Sequence, residues 1–330
     1  PWNFPFVMAV AKLAPALAAG CTVVLKPAEQ TPLTAAILAE LALEAGFPAG
    51  VINIVNGLGT VAGQRLVDHP DVDKISFTGS TLVGKNILRA STGNLKRVTL
   101  ELGGKSPVFI FPDADLSRAI PGAAMGIFGN AGQVCAAGSR LFVHEAVYDR
   151  VLEGIAERAR TLKVGPGLAA GTEMGPLVSE KQRERVLGYI QSGLGEGAGV
   201  EVGGEAIGGD GYFVQPTVLT GTAANMQVVR EEIFGPVLSA MRFGDDDLDA
   251  LAARGNDTDY GLNAVIWSGD LGQALKLAKR LRSGNVRING GAGVDPAIPF
   301  GGYKQSGIGR ENGRNGVESF TEVKSVLAQL

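Results

Sequence analysis

Lys74–Glu101 reads KISFTGSTLVGKNILRASTGNLKRVTLE. The run Lys74–Thr78 has the pattern of a strand and stops at the Gly79–Ser80 turn. A helical stretch follows over 80–90, then a second strand over Arg97–Glu101. A crossover of this kind joins parallel neighbours, so the segment predicts a βαβ unit in an open α/β sheet. The alternation extends upstream. A helix over 6–19 ends at Gly20, and the strand Thr22–Lys26 is stopped by Pro27. Thr31–Pro32 offers a hydroxyl cap and a first-position proline to a helix lined by Leu33, Ile37 and Leu41. Strand Val51–Val55 and a helix over 60–68 complete this half.

After Gly103–Gly104 the pattern restarts. It predicts strand Pro107–Phe111, helix Leu116–Phe128, strand Arg140–His144, and helices near 146–160 and 179–194. Strands Val237–Phe243, Leu262–Trp267 and Gly284–Asn289 follow, with a helix over 271–281 between the last two. Gly193–Gly211 reads as surface turns between short strands. Gly290–Gly309 is nearly all glycine, proline and small residues, and reads as a functional loop. Thr321–Ala328 is expected to be a terminal strand in need of a partner.

The 330 residues suffice for two domains with substantial cores. Charged residues at 19% and hydrophobic residues at 45% are ordinary for a globular chain. A net charge of −3 without a basic run argues against nucleic acid or an anionic membrane as partner. No apolar run reaches the length of a membrane span. Two cysteines make no disulfide framework and point to a reducing, cytoplasmic setting. With only His69 and His144, a His-based metal site or a Ser-His-Asp triad is hard to build, and no metal is expected.

Ligands of open α/β sheets bind beyond the carboxyl ends of strands. Lys26, the Gly79–Ser80 turn and Glu101 all lie at such ends. Gly79–Lys85, GSTLVGK, nearly fits a phosphate loop, but Asn86 stands where a hydroxyl would ligate Mg²⁺. What survives is a helix N-terminus able to take a phosphate, or simply a tight turn. Lys26 and Glu29 could grip a nucleotide; a solvated strand end is the simpler account of Lys26 alone. Glu101 is either a capping or paired carboxylate or a desolvated general base. Asn3, between Trp2 and Phe4, is either structural or a donor to an oxyanion. The second cysteine-bearing stretch, Phe128–Leu141, reads FGNAGQVCAAGSRL. Its Cys135 lies among small and polar residues, a setting that suits a reactive thiolate as well as a plain loop thiol.

PWNFP, KPAEQTP, FTGST, LELGGKSP, GQVCAAGSR, EEIFGPV, PFGGYKQSG and TEVK appear in this order from Pro1 to Lys324. In these motifs the chain resembles the aldehyde dehydrogenase superfamily nearly end to end. The resemblance implies an α/β fold with an open Rossmann-like cofactor domain (residues 1–104), an α/β catalytic domain (105–306), and a tail (307–330) carrying an oligomerisation strand. Family members carry a further N-terminal segment before PWNFP, so the native chain is expected to begin upstream.

The resemblance also implies roles. Cys135 would be the nucleophile, Asn3 an oxyanion donor and Glu101 the base for water. Trp2, Lys26, Glu29, Gly79, Ser80, Leu102, Glu232 and Phe234 would hold the cofactor, NAD with NADP as the alternative. A carboxylate at Glu29 would accept from ribose hydroxyls and repel a 2′-phosphate, which favours NAD. Phe4, Val294 and Phe300 would line a pocket for a nonpolar or bulky aldehyde. A homodimer or homotetramer would be the assembly. The rival readings are a non-catalytic or inactive truncated protein on this fold and a relative that passes the acyl group to coenzyme A. Members of that last branch often lack the carboxylate that Glu101 supplies here.

Overall fold

The computed structural model describes residues 1–245, 247–290 and 295–330. They fall into two compact units. One takes the described residues of Pro1–Leu102, Val294–Gly301 and Gly307–Leu330; the other takes those of Gly103–Gly293 and Gly302–Ser306.

In the first unit, strands Lys74–Thr78 and Arg97–Glu101 run parallel, with Thr78 opposite Glu101 and helix Thr81–Ala90 between them in sequence. The predicted βαβ unit is therefore present. Gly307–Ile308 adds a short antiparallel strand, pairing Gly307 with Glu101. Val23–Leu25 and Ile52–Ile54 form a separate parallel pair. The segment 60–68 is a π-helical turn, Gly59–Gly63, running into helix Gln64–Asp68.

One expectation needs correction here. The helix expected from Thr31–Pro32 spans Leu33–Glu44, with Pro32 at the cap position and no side-chain cap bond. It buries Ala35 and Ala42, while Leu33, Ile37 and Leu41 stay exposed, because no described residue covers that face. Residues 321–328 carry no strand pairing. The strand expected over this segment needs a partner strand, and no described residue supplies one. It is instead tied by Arg97, which donates to the Thr321 carbonyl at 3.2 Å and pairs with Glu322.

The second unit is built on a seven-stranded sheet. In spatial order its strands are Asn285–Ile288, Asn263–Trp267, Pro107–Ile110, Arg140–His144, Val237–Phe243, Thr217–Thr220 and Gly199–Val202. All neighbours pair parallel except the last two. The central strands read as near-continuous apolar runs, as strands covered on both faces do. Phe109, Ile110, Leu141, Val237, Leu238 and Ile266 are fully buried. Helices Leu116–Phe128, Glu180–Gly195, Leu248–Asn256 and Leu271–Arg280 are each capped by a Ser or Asp side chain accepting a backbone N–H: Asp115, Ser179, Asp247 and Asp270. Strand Thr217–Thr220 and helix Leu248–Asn256 were not expected from the pattern. The strand is only four residues between Pro216 and Gly221, too short for periodicity to show. Among the described residues no helix is long and apolar enough to cross a membrane.

The parallel strands Pro107–Ile110 and Arg140–His144 are locked at their start by Arg140, which is 1% exposed. Its Nε donates to the Lys105 carbonyl at 2.8 Å, Nη2 to Gly255 at 2.6 Å and Nη1 to Arg254 at 3.4 Å. Replacing Arg140 by Met removes the side-chain donor from the Lys105 and Gly255 carbonyls, while the Arg254 carbonyl keeps its bond from Asp257 N–H. Arg140→Met should lower the urea-unfolding free energy by about 2–4 kcal/mol. Arg140→Lys should rescue little of it, since one ammonium cannot reproduce the planar fork.

Candidate active site

Helix Leu116–Phe128 breaks at Gly129, and the chain then takes left-handed backbone at Asn130 (φ 50°), Ala131 (φ 53°) and Gly132 (φ 69°). For Asn130 and Ala131 this conformation costs on the order of 1 kcal/mol each. Gln133 holds the turn: its Nε2 donates to the Asn130 carbonyl at 3.2 Å, and its Oε1 accepts from Val178 N–H at 2.9 Å. Cys135 follows, half-buried, and neither cysteine is in a disulfide. A Cβ on Gly132 would stand 2.0 Å from the Gly235 carbonyl oxygen, and one on Gly104 would stand 2.2 Å from that of Cys135. Glycine is thus demanded at 132 and 104 by close backbone approach on two sides of the cysteine loop. Asn263 steadies the next residue, its Nδ2 donating to the Ala136 carbonyl at 3.2 Å.

Glu232 and Phe234 share this unit with Cys135. The Glu232 Oε1 accepts from Gly104 N–H at 2.8 Å. Burial pushes the Glu232 carboxyl up to about 7, against the pull of that N–H and of Lys105 and Arg185. Phe234 takes φ 60°, and its carbonyl accepts from Gln182 Nε2 at 2.8 Å. Arg185 Nη2 donates to the Glu232 carbonyl at 2.7 Å. Gln182 and Arg185 were not singled out from sequence. Their i, i+3 spacing on helix Glu180–Gly195 places both on the face that meets this segment, a signal visible only once the partner is known.

The first unit carries the other candidates. Glu101, at the carboxyl end of its strand, is 2% exposed, and neither carboxylate oxygen has a hydrogen-bond partner among the described residues. Burial, reinforced by the charge of Glu311, raises its carboxyl to about 9, while Lys12 and Arg310 oppose. Its backbone carbonyl accepts from Gly79 N–H at 3.0 Å, which fixes the turn to Ser80. Glu311 is buried in an ion pair with Lys12 and accepts from Ser76 Oγ at 3.4 Å. Neither Lys12 nor Glu311 was expected to matter. A lysine in the otherwise apolar helix Pro5–Ala18 was the available clue.

Lys26 is not the solvated strand end it resembles in isolation. Its Nζ donates to Pro27 O at 2.6 Å and Gly57 O at 3.0 Å, and lies 3.8 Å from Glu29 Oε1. Glu29 is exposed and accepts from Gly59 N–H. Hydrogen bonds from its own and Gly59's backbone, with Lys26 beside it, hold its carboxyl below the usual range. Ser80 caps the ten-residue helix Thr81–Ala90, accepting from Val83 N–H at 3.4 Å. Gly79 lies against the Phe77 ring, and Leu102 is buried against Gly84. Trp2, Asn3, Phe4 and Phe300 are half-buried, and Phe300 exchanges backbone hydrogen bonds with Glu311. Val294 lies outside the described residues. Among the described residues no cluster of three or more His, Cys, Asp or Glu could hold a metal.

The model of the aldehyde dehydrogenase family matches residues 1–326. The putative aldehyde dehydrogenase DhaS of Bacillus subtilis (strain 168) is 53% identical over all 330 residues, which cover 66% of its own length. The phenylacetaldehyde dehydrogenase of Pseudomonas fluorescens is 50% identical over 99% of this chain and 65% of its own. The NAD+ complex structure of an aldehyde dehydrogenase from Bacillus cereus superimposes with a TM-score of 0.97 at 52% identity, covering 99% of this chain and 66% of that one. The chain therefore spans about two thirds of the length of the relatives it matches. On the match of the family model and of these relatives along its whole length, the chain belongs to the aldehyde dehydrogenase family.

Proposed function

We propose that the protein oxidises an aldehyde to a carboxylic acid with NAD+. The observation that carries this reading is Cys135, seated on a strained turn whose backbone is gripped by Gly104 and Gly235. Fixing a thiolate so costs folding energy and serves positioning of a nucleophile.

The residues present suit a dinucleotide. Glu29 offers an exposed, ionised carboxylate beside Lys26, Ser80 heads a helix N-terminus able to receive a phosphate, and Glu232 keeps lone pairs beyond its Gly104 bond. An ionised Glu29 would repel a 2′-phosphate, which favours NAD+ over NADP+. Trp2, Gly79, Leu102 and Phe234 complete the proposed set. NAD+, when bound, supplies the acceptor for the hydride leaving the substrate carbon.

The chain's own residues do the rest. Cys135 Sγ attacks the carbonyl carbon, and the new oxyanion accepts from the Asn3 amide and the Cys135 backbone N–H. Loss of hydride leaves a thioester on Sγ. Glu101 takes a proton from water, whose oxygen attacks the thioester carbon; the C–S bond breaks and the acid departs. Glu101 must be ionised for this, so its raised affinity for the proton ties the hydrolytic step to alkaline pH. Phe4, Val294 and Phe300 are assigned to a pocket for nonpolar aldehydes, in keeping with the relative named for phenylacetaldehyde. A homodimer or homotetramer in the cytoplasm is the setting this reading implies.

The test is NADH formation with hexanal, benzaldehyde and succinic semialdehyde; preference for the charged semialdehyde would overturn the pocket assignment. Cys135→Ala should cut turnover by about a thousandfold or more while leaving NAD+ binding intact. Glu101→Gln should slow turnover by about a hundredfold and accumulate acyl-enzyme, and the parent's hydrolytic step should quicken as pH rises toward about 9. Stability moves the opposite way. A carboxyl raised from 4.5 to about 9 contributes its full stability below pH 4.5 and loses it as pH rises through 9. The Tm advantage of Glu101→Gln over the parent should accordingly grow from pH 5 to pH 9.

A further inference from the structure

Asn263 opens strand Asn263–Trp267 and is 4% exposed. Its Nδ2 donates to the Ala136 carbonyl at 3.2 Å, while its Oδ1 has no hydrogen-bond partner among the described residues. A buried amide satisfied on one side only costs stability that an apolar side chain would not. The bond it does make leads to the cysteine. A peptide group is planar and trans, so holding its C=O fixes the direction of its N–H. The Ala136 carbonyl shares its peptide with the Ala137 N–H, and that N–H donates to the Val134 carbonyl at 3.0 Å. The Val134 carbonyl shares its peptide with the Cys135 N–H. Asn263 Nδ2, peptide 136–137 and peptide 134–135 thus form one hydrogen-bonded chain, whose last member is the N–H of the cysteine. The anchor of the chain is itself tied down. The Leu262 carbonyl accepts from Asn285 N–H at 3.1 Å and from its Nδ2 at 3.3 Å. Gly261 N–H donates to Ser306 Oγ at 3.0 Å, which donates to the Gly103 carbonyl at 2.6 Å.

We propose that Asn263 is a positioning residue for the oxyanion donor: its amide aims the Cys135 backbone N–H through the two intervening peptides. This rests on the reading that Cys135 is the nucleophile and that its N–H receives the oxyanion. An oxyanion donor contributes only when it points at the place where charge develops, so its direction matters as much as its presence. Hydrogen bonds in a chain also polarise one another, and the Asn263 amide therefore strengthens the last donor as well as orienting it. The approach of Gly104 does not do this. It limits where the Cys135 carbonyl can lie, and that carbonyl belongs to peptide 135–136, which is outside the chain.

The experiment compares two reactions of the same thiolate. Attack on hexanal, read as NADH formed in a single turnover at saturating NAD+, develops an oxyanion. Alkylation by iodoacetamide displaces iodide and develops none. Asn263→Val removes the donor and keeps a side chain suited to a strand; Asn263→Ala serves should the first not fold. The substitution is expected to slow the NADH-forming step about tenfold, less than outright loss of an oxyanion donor, because the Cys135 N–H remains but is no longer aimed. The alkylation rate should change by less than about twofold. A parental rate of NADH formation would overturn the proposal, and so would an equal slowing of alkylation, which would mark a displaced thiol. NADH formation at the parental rate by Cys135→Ala would instead overturn the reading of Cys135 as the nucleophile.

Discussion

The approach of Gly104 to the Cys135 carbonyl is the contact on which the second unit's site depends. No side chain fits there, because the carbonyl oxygen already fills the place of a Cβ. The same glycine turns its N–H to Glu232. One backbone position therefore sets both the depth of the cysteine loop and the seat of a carboxylate 128 residues away in sequence. Gly132 repeats the device against Gly235, so the loop is clamped on both sides. The left-handed turn at Asn130 and Ala131 leads into this clamp, and Gln133 holds it.

Each unit also buries charge that a purely structural design would avoid. In the first, Glu101 carries two carboxylate oxygens without hydrogen-bond partners among the described residues, with the Lys12–Glu311 pair beside it in the same unit. In the second, Lys105 and Arg140 are both interior cations without a hydrogen-bonded carboxylate among the described residues. Burial of this kind destabilises the folded state and shifts proton affinities. Sites that move protons or orient ions are where such arrangements persist.

Much of this was legible beforehand because it is local. The βαβ reading of Lys74–Glu101 rested on periodicity and a Gly-Ser turn, and both strands and the intervening helix form as read. Cys135 and Glu101 stood out by residue type in unusual neighbourhoods. Leu33, Ile37 and Leu41 do line one face of Leu33–Glu44, but apolar spacing marks a face able to pack and says nothing of what packs on it.

The sequence by itself determined which residues could carry the chemistry and which stretches would be helix or strand, since these follow from side-chain type and short-range periodicity. Tertiary structure alone decided why they are placed as they are. Lys26 became a donor to Gly57, Lys12 the partner of Glu311, Gln182 and Arg185 the holders of the Glu232–Phe234 carbonyls. Each of these pairs joins positions far apart in the chain. Hydrogen bonds and desolvation act over a few ångströms of space, and no local pattern encodes which distant segment will supply the other half.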